Sequence, residues 1–503
     1  MSLIDGFLNS ITMYRLLLYY LIFLVAVGVV LSALGFLSFS PLALILTSLY
    51  FVIFSYITNK IFAYAFDAPT NIESVYISAL ILTLIVAPIR NIHDLPVISW
   101  MAIWMVASKF ILAINKKHIF NPAAFGVAIV SFVGLGSANW WVGTVSMLPF
   151  VLLGVFIIRK IKRFDLVFYF LAMAFVTIVL LSLTRGSDPI QIIWRTIADS
   201  PLLFFAFIML SEPLTTPPTK SLQSIYGAIV GILFAPQLSI GSFYTTPEIA
   251  LLIGNAFSFL VSPKHKLVLA LKEKIAVGQD LVDFVFPKPT NFSFRAGQYM
   301  EWTLPHNGTD SRGNRRYLTI ASSPTEDTLR LGVKFHEGGS SFKKAMIQLA
   351  GKNPIVGAQL MGDFTLPSDK NKKLVFIAGG IGITPFRAMV KYLIDTKEVR
   401  DIVLFYSNKN ENEIVYRDVF DQGVKIGLKT VYLLTDEKNI SSSWRGKRGR
   451  LDTQTIAEEV PDYQDRTFYL SGPKSMLDAF EATLSQMGVK KNRIITDFFP
   501  GYA

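Results

Sequence analysis

The residues best equipped for chemistry lie between Arg315 and Pro324, in the stretch RRYLTIASSP. A β-rich run there carries a cation (Arg316), an aromatic and an aliphatic side chain (Tyr317, Leu318) and a hydroxyl (Thr319). An isoalloxazine ring needs a flat apolar face to lie against, a donor near its reactive nitrogen and a positive charge for the pyrophosphate behind it. This stretch supplies all three, with either Leu318 or Tyr317 as the face. About twenty residues on, Gly338-Gly339-Ser340-Ser341 precedes the helical pattern FKKAMIQL. Glycines let backbone amides approach a phosphate, and a helix N-terminus favours the anion. A second glycine cluster, Gly379, Gly380 and Gly382 followed by Thr384 and Pro385, joins the apolar strand KLVFIAGG to a helical pattern. Such a turn brings backbone close to a dinucleotide. Tyr406 to Lys409 fall where the adenosine ribose should sit, and Lys409 either meets a 2′-phosphate or is solvated, so NADH and NADPH both stay open. Ser471-Gly472-Pro473 forms a further strand-to-helix turn, and Phe498 and Phe499 offer an aromatic near the end of the chain.

The elements that position these residues change character along the chain. From Pro263 to about Pro367 there are six short β-rich runs broken by Gly, Pro, Asn or Asp, which predict a small antiparallel barrel. After the polar stretch Ser368–Lys373, strands alternate with helices, as in a parallel α/β sheet. With RAGQY at Arg295–Tyr299, these motifs resemble the ferredoxin–NADP reductase superfamily over Lys264–Ala503. Two positions depart from its pattern: Leu318 stands where the family's R-x-[YF]-[ST] strip has an aromatic, and Ser471 replaces the cysteine of its Cys-Gly-Pro turn. The resemblance implies non-covalent FAD on the barrel and NADH or NADPH on the α/β domain. It also implies hydride transfer from nicotinamide C4 to flavin N5 beside Thr319, Ser471 and Phe498, with Phe499 the alternative terminal aromatic.

Upstream the composition is that of a membrane protein. The 503 residues are 52% hydrophobic and 17% charged, with the apolar runs confined to Tyr14–Val261. About 20 apolar residues cross a bilayer as a helix. Ten candidate spans follow, at about 14–36, 41–64, 74–89, 95–114, 122–137, 141–158, 164–184, 200–212, 222–240 and 246–262. The N-terminus lacks a basic region and a cleavage site, so the first run reads as a retained span. An even count puts both termini on one side. Loops on that side carry Lys60, Lys116, Lys117, Arg159, Lys160, Lys162, Arg163, Lys220, Lys264 and Lys266, against Arg90, Arg185 and Arg195 opposite. That bias predicts a cytoplasmic C-terminal half in the cell membrane. It also accounts for the net charge of +12 without nucleic acid. The expected organisation is thus a multi-pass helical membrane domain (1–262), an FAD-binding barrel (263–368) and an NAD(P)-binding α/β domain (369–503).

The chain has no cysteine, which excludes disulfides, thiolate metal sites and cysteine-ligated clusters. None of its five histidines forms a pair inside a predicted span, which argues against haem. Two interrupted apolar segments stand out: Asn121–Gly126 (NPAAFG) and Ser211–Lys220 (SEPLTTPPTK). Broken helices free backbone groups and often build binding sites, although a close-packing glycine and a plain loop explain the same residues. Together with the ten spans, they are similar to the RnfD-like family of membrane subunits, found in the Rnf complex and in the sodium-pumping NADH:quinone oxidoreductase, over residues 14–262. That resemblance implies electron transfer in the membrane half. The family's Ser-Gly-Ala-Thr flavin attachment stretch is missing, which leaves a non-covalent flavin or none there. The expected partners are the lipid bilayer, NAD(P)H and a quinone or redox protein. Ion translocation and a non-enzymatic membrane scaffold are the competing classes. The nearest buried-charge candidates for an ion path, Asp67 and Glu212, read as loop residues.

Overall fold

The long apolar runs before Val261 fold mainly as helices and the short β-rich runs after Lys266 as strands in the computed structural model, which describes residues 7–8, 11–66, 72–114, 117–186, 188–236, 238–240, 243–262, 266–310, 312–336, 338–351, 353–436 and 440–497. The chain divides into two compact units, Met1–Lys266 and Leu267–Ala503.

The main helices of the first unit are α1 (Met13–Ala33), α2 (Pro41–Ala65), α3 (Ile72–Ile85), α4 (Leu95–Ile111), α5 (Pro122–Phe132), α6 (Phe164–Leu183), α7 (Pro189–Ala198), α8 (Lys220–Leu233) and α9 (Pro247–Val261). Their starts are written in the sequence. Ser40 accepts the Ala43 amide at 3.1 Å with Pro41 in the first turn of α2, and Asn121 accepts the Ala124 amide at 3.1 Å ahead of Pro122. Among the described residues, four helices are long and apolar enough to cross a membrane: α1, α2, α6 and the run Ile92–Ile111 that contains α4. A fifth is reached if α7 and Leu202–Met209, bent by 58° from one another, count as one. Helices α3, α5 and α9 are shorter apolar helices. The expected span at 141–158 is a series of short turns, Trp141–Gly143, Leu148–Val151 and Leu152–Gly154, leading into Val155–Ile161. Pro149 and Gly154 lie in this run, and both weaken a continuous helix. Helices α1, α2 and α6 are apolar on all sides: Leu24, Leu44 and Phe170 are buried, whereas Val30, Ile53 and Leu180 are exposed. Crossings are close. A Cβ at Gly231 of α8 would stand 2.4 Å from the Phe170 carbonyl of α6, and one at Gly126 of α5 would stand 2.4 Å from the Met101 carbonyl of α4.

In the second unit, strands β1 (Leu267–Leu269), β2 (Glu273–Gly278), β3 (Leu281–Pro287), β4 (Tyr299–Thr303), β5 (Arg315–Thr319), β6 (Thr328–Lys334) and β7 (Ile355–Met361) make two antiparallel sheets, ordered β6-β3-β2 and β1-β7-β4-β5. The β-rich run LVLALKEKIAV, Leu267–Val277, forms two strands, because the chain leaves the β7 edge after Leu269 and pairs with β3 from Glu273. Both sheets share one core containing Phe284, Phe286, Met300, Trp302, Leu318 and Leu331. Helix α10 (Ser341–Gln348) adds Phe342 and Met346 to it.

The remaining elements are β8 (Leu374–Gly379), α11 (Thr384–Thr396), β9 (Ile402–Asn408), α12 (Arg417–Gln422), β10 (Leu428–Leu434), β11 (Lys447–Arg448), β12 (Thr467–Ser471), α13 (Lys474–Gln486) and β13 (Ile494–Thr496). The strands form one parallel sheet in the order β11-β10-β9-β8-β12-β13. Every residue of β8 is buried. Phe376 faces a core with Phe386 and Met389 of α11, and Val375 and Ile377 face a core with Leu477 and Leu484 of α13. The chain runs from β8 to β9 on one side and returns to β12 on the other. That switch places the ends of β8 and β12 side by side, where open α/β sheets bind ligands.

Candidate active site

Strand pairing decides which face each residue of the RRYLT strip presents. Leu318 lies opposite Met300 and Arg316 opposite Trp302, so these share one face. Leu318 is part of the barrel core, 9% exposed. Tyr317 and Thr319 share the other face, opposite Glu301 and Tyr299. Tyr317 donates to Glu301 Oε2 at 3.0 Å, and its ring meets Tyr299 edge-on with centroids 5.8 Å apart. Of the two candidates for a stacking face, Tyr317 shares a side with Thr319, and Leu318 serves the core.

Arg316 is 2% exposed, with its guanidinium over the Phe342 ring at 5.1 Å and hydrogen-bonded to the carbonyls of Arg312 (3.0 Å) and Gly313 (3.3 Å). Ser340 caps α10 through the Lys343 amide at 3.3 Å, and Gly338 takes the left-handed φ of 77° that the turn before the helix requires. The Ser341 amide donates to Asp310 Oδ2 at 2.9 Å, and Arg312 pairs with the same oxygen at 2.8 Å. Asp310 escapes sequence reading, since no spacing rule ties it to a helix 31 residues away. Partial burial pushes its carboxyl up, but the Ser341 amide and Arg312 outweigh this and bring it down to about 2. Burial and then the neighbouring Arg316 and Arg312 pull Lys343 below the usual lysine range. Three cations that crowd one another, and a helix start already holding a carboxylate, fit a pyrophosphate.

At the ends of β8 and β12 the two glycine turns meet. A Cβ on Gly382 would lie 2.3 Å from the Ser471 carbonyl oxygen and 2.6 Å from the Gly472 nitrogen. Gly382 therefore lets one turn pack on the other, and its missing side chain leaves no opening for a cofactor. Gly380, with φ 53° and open space around its Cβ position, is the half-buried bend of the turn, and Gly379 faces Met476. Thr384 opens α11 with its hydroxyl donating to the Ile381 carbonyl at 3.1 Å, and Pro385 takes the first turn. Pro473 immediately precedes α13. Ser471 donates to Asp497 Oδ2 at 3.0 Å, a partner that sequence reasoning missed. Tyr406 differs from expectation. It is fully buried in the sheet core, with its hydroxyl near the Val415 amide and Glu413 carbonyl, so it supports the following loop and does not face a ribose. Lys409 is exposed. A narrow groove beside Gly380 and Ile381 runs to Gly278–Leu281 and to the Lys334–Glu413 ion pair at 3.1 Å. Phe498 and Phe499 lie outside the described residues.

In the first unit, the two broken segments come together. The Asn121 side chain donates to Glu212 Oε2 at 2.8 Å, and its backbone amide donates to Asn255 Oδ1 at 2.7 Å. Thr215 also reaches Glu212, at 3.3 Å, and Asn255 donates to the Tyr226 hydroxyl at 3.0 Å. Arg163 holds the Ser211 carbonyl at 3.3 Å and bonds Thr216. Glu212 lies in the irregular stretch between Met209 and Lys220, as its reading as a loop residue expects, and its half-buried side chain is tied into a polar joint. Arg163 is 5% exposed and internal, in contrast to its reading as a topology signal alone. Asp67 lies outside the described residues.

A small antiparallel barrel followed by a parallel sheet with paired turns at its switch point is the arrangement of ferredoxin-reductase-like FAD/NAD-binding oxidoreductase domains. The C-terminal half of this chain is such a domain. Residues 376–482 match the oxidoreductase NAD-binding domain family. Similar curated proteins include the glycine betaine monooxygenase reductase subunit of Pseudomonas aeruginosa, 25% identical over 221 residues, which cover 43% of this chain and 59% of that protein. Another is the stachydrine N-demethylase reductase subunit of Rhizobium meliloti, 28% identical over 234 residues, 44% of this chain and 65% of that protein. The chain therefore spans about three fifths of the length of these relatives. Among solved structures, the cytochrome b5 reductase domain of Ulva prolifera nitrate reductase is 22% identical, covers 47% of this chain and 98% of that one, and has a TM-score of 0.41.

Proposed function

We propose that the protein is a membrane-bound, FAD-dependent NAD(P)H oxidoreductase that passes electrons to a membrane acceptor, either a quinone, a flavin or a partner protein. The observation that carries the reading is the joint presence in one unit of the Arg316–Thr319 strip, the anion-holding start of α10 and the packed turns at Gly379–Thr384 and Ser471–Pro473. FAD held there would supply two-electron hydride acceptance from a nicotinamide dinucleotide. Arg316, Lys343 and the Ser341 amide would hold the pyrophosphate in place of Asp310. Tyr317 offers the ring a face and Thr319 a donor on the same side of β5. The glycine turn brings backbone amides to the nicotinamide nucleotide, and Asp497 holds the Ser471 hydroxyl in a fixed orientation. No acid or base is required for the hydride step.

The first unit embeds in the bilayer through α1, α2, α6 and the α4 run, with the reductase half on the cytoplasmic face in keeping with the lysine and arginine bias. Electrons leave through an acceptor, a quinone or a non-covalent flavin, at the joint of Asn121 with Glu212. The same joint supports a second reading, redox-driven sodium or proton translocation, because it places a carboxylate among buried polar groups. The test uses the full chain in native membranes and in sealed vesicles. NADH and NADPH are offered with a soluble dye and then with a quinone, flavin is counted before and after acid precipitation, and ion flux is followed. Failure to reduce the dye with either nucleotide refutes the oxidoreductase reading. Flux that appears only with the physiological acceptor selects the second.

A further inference from the structure

The barrel and the parallel sheet are joined by a buried charged bridge that lies outside the residues assigned to cofactors. Arg387, in the first turn of α11 and three residues past Thr384, has a side chain 6% exposed. Its guanidinium donates to both carboxylate oxygens of Glu326, at 2.9 Å for Oε1 and closer for Oε2, and to the Ala321 carbonyl at 3.0 Å. Glu326 in turn accepts the Ser323 amide at 2.6 Å. Arg387 thus grips the ASSP segment that leaves the flavin-type strip two residues after Thr319. A second strut runs beside it. Tyr416, whose ring Arg387 overlies at 5.8 Å, donates to Asp283 of β3 at 2.5 Å. Between the two struts β6 touches α11: a Cβ on Gly332 would lie 2.8 Å from Thr384 Cγ2.

A buried ion pair is weak evidence for stability, because desolvating two charges cancels much of their attraction; what it supplies is a fixed geometry. Geometry matters here because the strip and the glycine turn belong to different domains, and hydride donor and acceptor must be held roughly 3–3.5 Å apart. We propose that Arg387 is a positioning residue that sets the spacing between the Thr319 strip and the Gly379–Thr384 turn. The inference rests on the oxidoreductase reading above.

The test compares full-length wild type with Arg387→Lys, which keeps charge and stem but loses the two-pronged grip, with Arg387→Met, and with Glu326→Gln. Three quantities are read: FAD retained, amide hydrogen exchange across 320–324 and 379–384, and the limiting rate of flavin reduction by NADH with its KM. In Arg387→Lys, FAD content and KM stay within about twofold, exchange rises in both segments together, and the limiting rate falls on the order of ten- to a hundredfold. Glu326→Gln moves the same quantities in the same direction by less. Unchanged exchange in Arg387→Lys overturns the proposal, and so does a rate loss that only tracks lost FAD. Where Arg387→Met fails to fold, Arg387→Lys decides. If wild type reduces no flavin with either nucleotide, the functional reading falls, and the exchange data alone judge the bridge.

Discussion

Gly382→Ala is the sharpest single perturbation the structure offers. The new Cβ would sit 2.3 Å from the Ser471 carbonyl oxygen, 2.5 Å from its carbon and 2.6 Å from the Gly472 nitrogen, where ordinary contact begins at 3.4 Å. The opposing atoms are backbone at the end of β12, which pairs with both β8 and β13, so they cannot rotate away. Relief therefore requires the two turns to separate by about 1 Å, at an overpacking cost of about 1–3 kcal/mol. A misplacement of that size at a reacting centre costs about a hundredfold in rate. The contacts assigned to FAD pyrophosphate belong to α10 and β5, so flavin content should not change. NADH oxidation with a soluble dye, measured against acid-released FAD, should fall about a hundredfold per bound flavin. Gly380→Ala is the control. Its Cβ meets nothing within 4 Å, so it pays only for the left-handed φ of 53°, about 1–2 kcal/mol of local strain. Wild-type turnover in Gly382→Ala, or parallel loss of FAD and turnover, would refute the assignment of this pair of turns to the nicotinamide nucleotide.

Arg316→Ala removes a charge-assisted contact of about 1.5–3 kcal/mol, so FAD should bind at least about tenfold more weakly by equilibrium dialysis. Tyr317→Leu should shift the visible flavin spectrum and, by taking a donor from the buried Glu301, lower stability by about 1–3 kcal/mol, whereas Leu318→Ala should lower stability by about 2–5 kcal/mol in denaturant titration and leave the spectrum in place. In the first unit, Asn121→Ala and Glu212→Gln should slow reduction of a quinone or other membrane acceptor and leave dye reduction at the wild-type rate. Equal quinone activity in both variants would make the joint structural.

The sequence is most legible where chemistry depends on neighbours in the chain. The RRYLT strip, the GGSS helix start, the glycine turn after β8 and the Ser-Gly-Pro turn after β12 all fall on the elements their patterns predict. Legibility fails where the partner is distant. Asp310 meets Ser341 across 31 residues, Arg387 meets Glu326 across 61 and Asn121 meets Glu212 across 91. No periodicity encodes such pairs, because strand register and helix packing bring them together. The choice between Tyr317 and Leu318 likewise needs the pairing of β5 with β4, since a shift of one residue exchanges the faces. Tyr406 departs from expectation for a related reason: β9 is buried on both sides, so nothing in its run distinguishes a residue facing the crevice from one filling the core. Hydropathy locates the apolar runs but not the break at 141–158, where Pro149 and Gly154 interrupt a stretch that is otherwise apolar enough.

The joint at Asn121 has a consequence for how the first unit is made. Its backbone amide waits for Asn255, 134 residues later in the chain, and its side chain waits for Glu212. At about 5–20 residues per second of synthesis, that is roughly 7–27 seconds during which α5 is capped by Asn121 but the donors of Asn121 itself lack these partners. In the bilayer placement proposed above, no water reaches those groups in the interval, so early helices would have to linger near water or an assisting protein until α9 arrives. Biogenesis of the unit is therefore governed by its last helix. A chain released before Asn255 would carry α1 to α8 in full and still lack the acceptor for the Asn121 amide.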